Sequence, residues 1–448
     1  MNEIKQNNLE VKTRYGMVEG FSRKGCACWY GIPFAKPPVG ELAFRHPEPP
    51  ESWEGVRKAF YGSANPIQSK GDFSIGNNSQ DCLYLNVFVP EEHTGPLPVM
   101  VWIYGGAYNQ GGAGAVRKDS AELLYDMNLF ARESGCAVVS FNYRQNLYGF
   151  LNLHFLDERF DQNNGLFDQI MALRFVKENI AAFGGDPDNV TLFGQSAGAS
   201  SVLALMAMKE AEGLFHKAIV MSANVEHFYT EEESRRYTND YLKFAGVSRP
   251  EKLAALSEQR VCAINERYAG RLILKGDVRC AFSPVIDGVT LKEEPKKAVQ
   301  RCNIPLLIGT VYEEANLFIK WLPRAILPLA PRVIGLKLEK GEGTLERRVS
   351  DALTQHIYIR PMLEILEGYS GPAWCYEYRY VYPGSTMGCY HTCELPVLFG
   401  IDLLGKADDP ESVRMGQKLR RIWGTFAREG DPGWRPYSEG KLQFPLDS

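Results

Sequence analysis

The hydrophobic positions of the chain form short, uninterrupted runs across its central part, and polar residues, glycine or proline bound each run. A run of this kind predicts a buried strand, and five are evident: residues 97–106 (LPVMVWIYGG), 136–144 (CAVVSFNYR), 189–193 (NVTLF), 217–222 (KAIVMS) and 304–310 (IPLLIGT). Between residues 165 and 183 the apolar positions recur at intervals of three and four, which predicts an amphipathic helix. A second helix is predicted from Ala197 to about Met208. Strands that alternate with helices predict a mostly parallel sheet flanked by helices, an α/β fold.

The pattern changes before and after these runs. Before residue 90 the apolar segments are short, alternate with polar residues and are separated by many turns, which predicts antiparallel strands. Residues 231–270 and 345–368 are charged and helical in period, so we expect them to lie as helices over the sheet. No linker rich in proline, glycine or serine divides the chain. The pattern therefore predicts one α/β domain over residues 1–448, with helical insertions at roughly 224–280 and 316–370.

Composition and charge exclude several classes of function. The 448 residues are 45% hydrophobic and 23% charged, with a formal net charge of -4. A slightly acidic chain without runs of like charge is unsuited to nucleic acid or to an anionic membrane. No apolar run approaches the roughly 18 residues that a membrane span needs. The N-terminal residues are polar, and the 10 cysteines are expected to be the reduced thiols of a cytoplasmic protein, either a monomer or a homodimer.

One cysteine cluster has the composition of a metal site. Residues 389–393 read CYHTC, which places two thiols and an imidazole close together. Structural zinc sites usually take two ligand pairs from separate segments, and no second pair accompanies this one. The sequence therefore predicts no metal and no other cofactor.

A motif that contains a candidate reactive serine follows the third predicted strand. Residues 194–198 read GQSAG, so Ser196 lies between two glycines where a strand meets a helix. A sharp turn from strand to helix can hold one side chain exposed and strained, and glycines on both sides let neighbouring backbones approach. The N–H groups at the start of the helix point to the same place and can stabilise an oxyanion. Small residues also pack helices against sheets, so the motif alone leaves a structural role open.

A serine nucleophile needs a base, and the chain has 7 histidines. In this kind of fold the triad order is serine, acid, histidine, so the candidates lie after the serine: His216, His227, His356 and His391. His216 enters the next predicted strand, which indicates a structural role, and His356 lies in a segment of helical period. His391 follows a strand-like run in a loop that contains glycine, from which a side chain can reach the sheet edge.

Motifs along almost the whole chain resemble those of one family. They are, in order, YGIPFAKPPVGELAF (30–44), SQDCLYLNVF (79–88), the region around the serine (165–202), SPVIDG (283–288), IPLLIGT (304–310), GCYHTCELPVLFG (388–400) and FAREGDP (426–432). Some of these motifs are weak evidence when taken singly, but together and in this order they are specific for one family. The chain resembles the type-B carboxylesterase family, the cholinesterase-like branch of the α/β-hydrolase fold, and in particular its bacterial para-nitrobenzyl-esterase-like members.

The resemblance implies a role for each residue of a serine esterase site. It makes Ser196 the nucleophile and His391 the general base. It makes Glu314 the acid, because the family's acid is a glutamate shortly after the IPLLIGT strand, although Ala315 follows where the family usually has glycine. The adjacent Glu313 is expected to be a solvent-facing residue at a helix start.

The resemblance also implies an oxyanion hole and a backbone that supports it. The predicted set is Gly106, Ala107 and Ala197 for the hole, with Gly105, Gly194 and Gly198 as the supporting loop and elbow. Tyr104 and Gln195 stand where relatives often have histidine and glutamate. Because the oxyanion donors are backbone N–H groups, the side chain of Tyr104 is expected to matter little for charge stabilisation.

Further departures from the family pattern refine these expectations. Ala43 and Gln80 replace an arginine and a glutamate that resemble a salt-bridged pair, and losing both ends costs far less than leaving one charge buried. No cysteine lies between residues 29 and 81, so the family's disulfide from Cys82 is expected to be absent. No tryptophan lies within residues 65–82, which argues against an aromatic site for quaternary ammonium esters.

The sequence thus predicts a serine carboxylesterase that hydrolyses neutral, apolar esters of short to medium acyl length through an acyl-enzyme. A non-catalytic binding protein on the same scaffold, of the neuroligin type, is an alternative, but such proteins lose the nucleophile and this chain retains all three residues in order. An amidase, peptidase or acyltransferase with the same triad is a closer alternative. The triad does not separate these activities, because a site's chemistry and shape, not its fold, determine function.

Overall fold

The structure, a computed structural model, describes residues 5–69, 76–225, 228–275, 277, 281–320, 322, 327, 335–336, 338, 342–402, 405–437 and 446. The strands within these residues are β1 (Lys5–Lys12), β2 (Met17–Arg23), β3 (Cys26–Pro33), β4 (Val56–Lys58), β5 (Tyr84–Pro90), β6 (Leu97–Ile103), β7 (Ala137–Phe141), β8 (Gly185–Gln195), β9 (Lys217–Met221), β10 (Tyr229–Thr230), β11 (Val285–Ile286), β12 (Leu306–Val311) and β13 (Ala373–Tyr378). Strands β6, β7, β8, β9 and β12 coincide with the five apolar runs of the sequence.

One large sheet contains most of these strands. Within the described residues its order is β1-β2-β3-β5-β7-β6-β8-β9-β12-β13, with β4 beside β2. The pairs from β1 to β7 along this order are antiparallel, and the pairs from β7 to β13 are parallel. The sheet therefore has the antiparallel start and the parallel centre that the sequence pattern predicts. Strands β10 and β11 form a separate parallel pair.

The central strands are almost continuously apolar because they are buried on both faces. Every residue of β6, β7 and β12 is buried, so these strands lack the polar alternation of a solvent-exposed face. Trp102 of β6 packs its ring against Phe193 of β8 and against Phe399, and Phe130 contacts both phenylalanines. This aromatic cluster joins the sheet to the helices that cover it.

The described helices are α1 (Asn128–Ser134), α2 (Asn146–Phe150), α3 (Asn164–Asn179), α4 (Ala197–Ala207), α5 (Glu231–Ala245), α6 (Glu251–Ala254), α7 (Glu258–Leu274), α8 (Pro295–Ala298), α9 (Asn316–Ile319), α10 (Leu345–Thr354), α11 (Arg360–Gly368), α12 (Glu394–Phe399) and α13 (Pro410–Glu429). The two helices predicted from periodicity are α3, which continues as a 3₁₀ turn over Ile180–Phe183, and α4. None of the described helices combines the length and the apolar character needed to cross a lipid bilayer.

The charged segments of helical period form the helices outside the sheet. In the first insertion, α5 begins with a capping box in which Thr230 and Glu233 each accept the other's backbone N–H. In the second, α10 and α11 are joined by a π-helical turn at Gln355–Ile359, which the continuous period of residues 345–368 does not reveal. Turns of this kind are frequent at functional sites. The organisation of the chain as one domain stays a prediction.

Candidate active site

The segments that carry the predicted chemistry lie at one edge of the sheet. The loop 104–107 follows β6, Ser196 follows β8, and Glu314 comes shortly after β12. His391 lies in the loop between β13 and α12. Strands β6, β8, β9, β12 and β13 are parallel neighbours, so their carboxyl ends share one edge, which is where ligands bind in open α/β sheets.

Ser196 occupies a strained turn between β8 and α4. Its backbone has φ 57° and ψ -125°, a conformation that is costly for a residue with a side chain and that clusters at functional sites. The Ser196 N–H donates to the carbonyl oxygen of Met221 at 2.9 Å, which ties the turn to β9. Ser196 is partly exposed although the residues on both sides of it are buried. The turn therefore presents one hydroxyl at the sheet edge.

Close backbone contact explains the glycines around this turn. A Cβ on Gly194 would lie 2.6 Å from the carbonyl carbon of Gly198. A Cβ on Gly105 would lie 2.6 Å from the carbonyl oxygen of Gln195. A Cβ on Gly198 would overlap the carbonyl oxygen of Ile103, the last residue of β6. Strand β6, the loop after it and the serine turn therefore pack backbone against backbone, which only glycine permits.

Replacing Gly198 by alanine is expected to lower the free energy of unfolding by about 1–3 kcal/mol, the usual cost of an extra methyl group in a filled site. Urea denaturation followed by tryptophan fluorescence measures the change. Gly270→Ala is the matched control, because a Cβ at Gly270 meets no atom within 4 Å. In the interior of α7 this control is expected to gain roughly 0.5–1 kcal/mol. Equal urea midpoints for the wild type and Gly198→Ala would contradict the prediction.

His391 and Glu314 form a buried, hydrogen-bonded pair. Nδ1 of His391 lies 2.5 Å from Oε2 of Glu314, and the two residues are 2% and 0% exposed. The other carboxylate oxygen, Oε1, accepts the Val311 N–H at 2.9 Å. A carboxylate can only accept hydrogen bonds, so Nδ1 carries the imidazole proton and Nε2 keeps its lone pair. The pair thus leaves Nε2 available as a base.

The surroundings of His391 connect it to the serine turn. The side-chain amide nitrogen of Gln195 lies 3.4 Å from Nε2. The rings of Phe318 and Tyr358 each lie 5.3 Å from the imidazole, centroid to centroid. Among the described residues, no hydrogen bond joins Ser196 Oγ to His391. Such a bond is often long before substrate binds and shortens in the complex. Tyr358 belongs to the π-helical turn. The helical cover, formed by α10, this turn and α11 (residues 345–368), therefore contacts the imidazole of the base.

The loop after β6 presents backbone N–H groups near Ser196. Gly106, Ala107 and Tyr108 have φ values of 114°, 54° and 58°. Within the described part of the chain, no hydrogen bond uses the N–H of Gly106 or Ala107. The N–H of Ala197 belongs to the first turn of α4 and has no partner within the helix. These three donors are free to bind an anion at the edge of the sheet.

Tyr104 lies in the core and not in this site. Its ring stacks on that of Tyr143 with centroids 4.7 Å apart, and its carbonyl oxygen accepts the Tyr143 hydroxyl at 2.9 Å. The residue has no exposed surface. The Tyr104 side chain therefore packs in the core behind the loop.

The structure corrects the expectation for Glu313. Its side chain is 16% exposed and does not face solvent, because Oε1 forms an ion pair with Arg347 of α10. Its Oε2 accepts the Cys389 N–H at 2.8 Å. The prediction was wrong because these partners come from later parts of the chain that no local pattern connects to Glu313.

The other candidate histidines lie elsewhere. His216 is at the amino end of β9, where Nδ1 accepts the Val190 N–H at 3.1 Å, a structural role as expected. His356 is in the π-helical turn. His227 lies outside the described residues, as do residues 70–75 of the segment without tryptophan.

The family departures are accommodated without unpaired charge. Ala43 is buried, and the Gln80 amide donates to the Tyr148 hydroxyl at 2.9 Å. Cys82 is a buried free thiol. In the CYHTC segment, the sulfurs of Cys389 and Cys393 lie 3.5 Å apart. Within the described residues, no three side chains of histidine, cysteine, aspartate or glutamate are grouped to hold a metal ion.

The sequence analysis missed one ionisable residue of the site. Glu394, the first residue of α12, is buried, and no hydrogen-bond partner within the described residues contacts its carboxyl oxygens. Burial, and then the charge of Glu314, raise the pKa of Glu394 to about 8. Its position at the head of the apolar run ELPVLF is the only local signal for this burial. The raised pKa favours the neutral form of this carboxyl beside Glu314 at neutral pH.

The chain is similar to known proteins over nearly its whole length. The sequence profile described as "Carboxylesterase family" matches residues 7–328 and 334–445. The para-nitrobenzyl esterase of Bacillus subtilis (strain 168) is 36% identical over 468 residues, which cover 96% of this chain and 92% of that protein. Carboxylesterase 1F of Mus musculus is 28% identical over 497 residues, covering 94% of this chain and 85% of that protein.

Solved structures give the same result for the fold. A thermophilic PNB esterase matches with a TM-score of 0.84 and 34% identity, covering 96% of this chain and 94% of that one. The carboxylesterase of Geobacillus stearothermophilus matches with a TM-score of 0.82 and 31% identity over the same shares of the two chains. The predicted fold class is confirmed. The chain therefore belongs to the carboxylesterase family and is a serine carboxylesterase, a carboxylic ester hydrolase of the α/β-hydrolase fold.

Proposed function

We propose that Ser196, His391 and Glu314 are the catalytic triad and that they hydrolyse neutral carboxylic esters through an acyl-enzyme. The observation that carries this proposal is the buried 2.5 Å hydrogen bond between Nδ1 of His391 and Glu314. It leaves the lone pair of Nε2 to act as a base, and the side-chain amide nitrogen of Gln195, the residue next to Ser196, lies 3.4 Å from Nε2 in the structure.

The chemistry follows from these positions. Nε2 of His391 takes the hydroxyl proton as Ser196 Oγ attacks the ester carbonyl, and Glu314 stabilises the imidazolium that forms. The tetrahedral intermediate collapses when the imidazolium gives its proton to the leaving alkoxide, so an alcohol departs and an acyl-serine remains. Water then attacks the acyl group with His391 again as base, which releases the carboxylic acid. This route requires no metal or organic cofactor.

The proposed oxyanion hole consists of the N–H groups of Gly106, Ala107 and Ala197. Its support is that Gly106 and Ala107 have positive φ and N–H groups not used in the described structure. The α4 helix also directs its partial positive charge to the same end. Loss of one such donor typically costs about 3 kcal/mol of transition-state stabilisation. Gly105, Gly194 and Gly198 are proposed as the residues that let these segments approach.

Neutral, apolar esters of short to medium acyl length are the proposed substrates. Apart from Glu314, which is engaged with Nδ1, the contacts of the base in the described structure are the amide of Gln195 and the rings of Phe318 and Tyr358, and these three add no charge that would select a cationic ester. The name of the Bacillus subtilis relative indicates para-nitrobenzyl esters, which are neutral esters of the same class. We also propose a cytoplasmic location, which the nine described cysteines support as free thiols.

A matched series of p-nitrophenyl esters and p-nitroanilides, from acetyl to decanoyl, tests the substrate class. We expect kcat/KM to be highest for a short or medium acyl ester and to exceed that of the matched anilide by more than about tenfold, which is more than about 1.4 kcal/mol of barrier. The kcat/KM for the cationic butyrylthiocholine, compared with that for the neutral S-butyl thiobutyrate, tests the charge preference. We expect the neutral thioester to have the higher value. Equal rates for ester and anilide would favour an amidase or peptidase.

A further inference from the structure

Glu313 links the helical cover to the loop that carries His391. Its Oε1 forms an ion pair with Arg347 on the first turn of α10, and its Oε2 accepts the Cys389 N–H at 2.8 Å. Arg347 is held in turn by Asp351, one helical turn further on, at 2.9 Å. One carboxylate thus spans the distance from α10 to the loop two residues before His391.

The loops of Glu314 and His391 are joined backbone to backbone at the same place. The Glu313 N–H donates to the Cys389 carbonyl at 2.9 Å, and the His391 N–H donates to the Glu314 carbonyl at 3.3 Å. The bond from Cys389 N–H to Glu313 Oε2 completes this short ladder with a side chain. The ladder fixes His391 relative to Glu314, and the Glu313 side chain adds a third hydrogen bond at this junction.

Two further contacts attach α10 to the Glu314 loop. The Ser350 hydroxyl donates to Asn316 Oδ1 at 2.6 Å, and Asn316 Nδ2 donates to the Met387 carbonyl at 2.8 Å. The Ala315 N–H donates to Thr354 Oγ1 at 3.2 Å. Helix α10 therefore contacts the Glu314 loop directly, and Glu313 and Asn316 of that loop in turn bind the backbone of the loop that carries His391.

The local shape shows that the position is built for a carboxylate. Gly388 has φ 66°, and a Cβ there would overlap Glu313 Oε2. The ring of Tyr312 lies beneath the Arg347 guanidinium at 5.3 Å and the Arg379 guanidinium at 4.7 Å. The Glu313 carboxylate thus binds the backbone of the His391 loop through one oxygen and the Arg347 guanidinium through the other. Asp351 holds that guanidinium in turn.

We infer that Glu313, clamped by Arg347, is a positioning residue of the esterase reaction: it holds the His391 loop so that the imidazole stays aligned between Glu314 and Ser196. The inference rests on the proposed triad. In this arrangement α10 supports the His391 loop through Glu313, and Tyr358 of the adjoining π-helical turn contacts the imidazole itself. A shift of about 1 Å in a catalytic group can reduce a rate by about 10²-fold.

The test compares Glu313→Ala and Arg347→Ala with wild type on p-nitrophenyl butyrate. We expect kcat to fall about 10- to 100-fold in Glu313→Ala and less in Arg347→Ala, with KM changed little, because the loss is in alignment and not in substrate contact. The double variant should be no slower than Glu313→Ala, since the two residues act as one unit. Titration of active sites with an organophosphate corrects each rate for the folded fraction. Glu364→Gln is the matched control, because Glu364 joins the cover to α8 through Lys296 and is expected to keep full activity.

The pH profile separates positioning from simple charge effects. Looser contact between His391 and Glu314 destabilises the imidazolium, so the acid limb of kcat/KM moves to lower pH in both variants. If the residues acted only by their charges, Glu313→Ala would lower the limb and Arg347→Ala, which removes a positive charge, would raise it. The other titratable groups around His391 and Glu314 are present in both variants. They are Tyr358, Tyr376, Cys389, Cys393 and Glu394.

Two results would overturn the inference: opposite shifts of the acid limb, or wild-type kcat in both variants. Either result would leave the proposed triad intact, because that proposal depends on variants of Ser196 and Glu314. Should Glu313→Ala fail to fold, the decision passes to Arg347→Ala, whose side chain is 37% exposed.

Discussion

Replacing Ser196 by alanine is expected to reduce the turnover of p-nitrophenyl acetate and butyrate by about 10⁶-fold, as loss of the nucleophile does in other serine hydrolases. The substitution removes the only atom that can form the acyl-enzyme. His391, Glu314 and the N–H donors remain, so a residual acceleration of about 10³–10⁴ over water is expected. Release of p-nitrophenol, followed at 405 nm, measures the loss of turnover and the residual acceleration. Active-site titration gives the concentration of the wild-type enzyme.

Ser201→Ala is the matched control for this variant. Ser201 lies on α4 close to the nucleophile, and its hydroxyl accepts the Gln169 amide at 3.1 Å in the core. Its loss is expected to cost about 1 kcal/mol of stability with little change in kcat. An organophosphate should label one serine per chain in the wild type and in Ser201→Ala, and none in Ser196→Ala. Similar slow release by the wild type and Ser196→Ala would contradict the proposed triad and favour the binding-protein alternative.

The local sequence pattern predicts most of the central strands and the turn that carries Ser196. The five apolar runs became β6, β7, β8, β9 and β12 because strands buried on both faces are nearly continuous runs of apolar residues. The GQSAG motif predicted a tight turn, and the structure gives it a physical reason, since Gly194 and Gly198 contact backbone directly. These features depend on neighbours along the chain or on the periodicity of one element.

Features that depend on distant neighbours could not be read in the same way. Glu313 pairs with Arg347 and Cys389, and its neighbour Glu314 pairs with His391, so two adjacent carboxylates differ only in partners far along the chain. Helical period placed residues 345–368 over the sheet but missed the π-helical turn that brings Tyr358 to the imidazole. The roles of these residues become visible only when the loops are seen together.

Replacing Glu314 by glutamine is expected to lower kcat by about 10⁴-fold, the effect of the same change in a serine protease triad. Oε1 of the wild-type residue accepts the Val311 N–H and Oε2 accepts from His391 Nδ1. An amide has one oxygen and one N–H₂ group, so it cannot accept both bonds. If its oxygen stays with Val311, its N–H₂ group faces Nδ1, which forces the proton onto Nε2. The imidazole then cannot act as the base for Ser196.

The variant also removes the counter-charge of the imidazolium in a buried site. The acid limb of kcat/KM is therefore expected to move to lower pH, because an opposite charge within about 4–6 Å favours the protonated ring and is now missing. Glu313→Gln is the matched control: it keeps an oxygen for the Cys389 N–H, and we expect a loss of kcat at least about tenfold smaller than in Glu314→Gln. Circular dichroism compares the folded fractions of the two variants. A larger loss in Glu313→Gln, with Glu314→Gln near wild type, would make Glu313 the triad acid and assign the 2.5 Å bond to His391 a structural role.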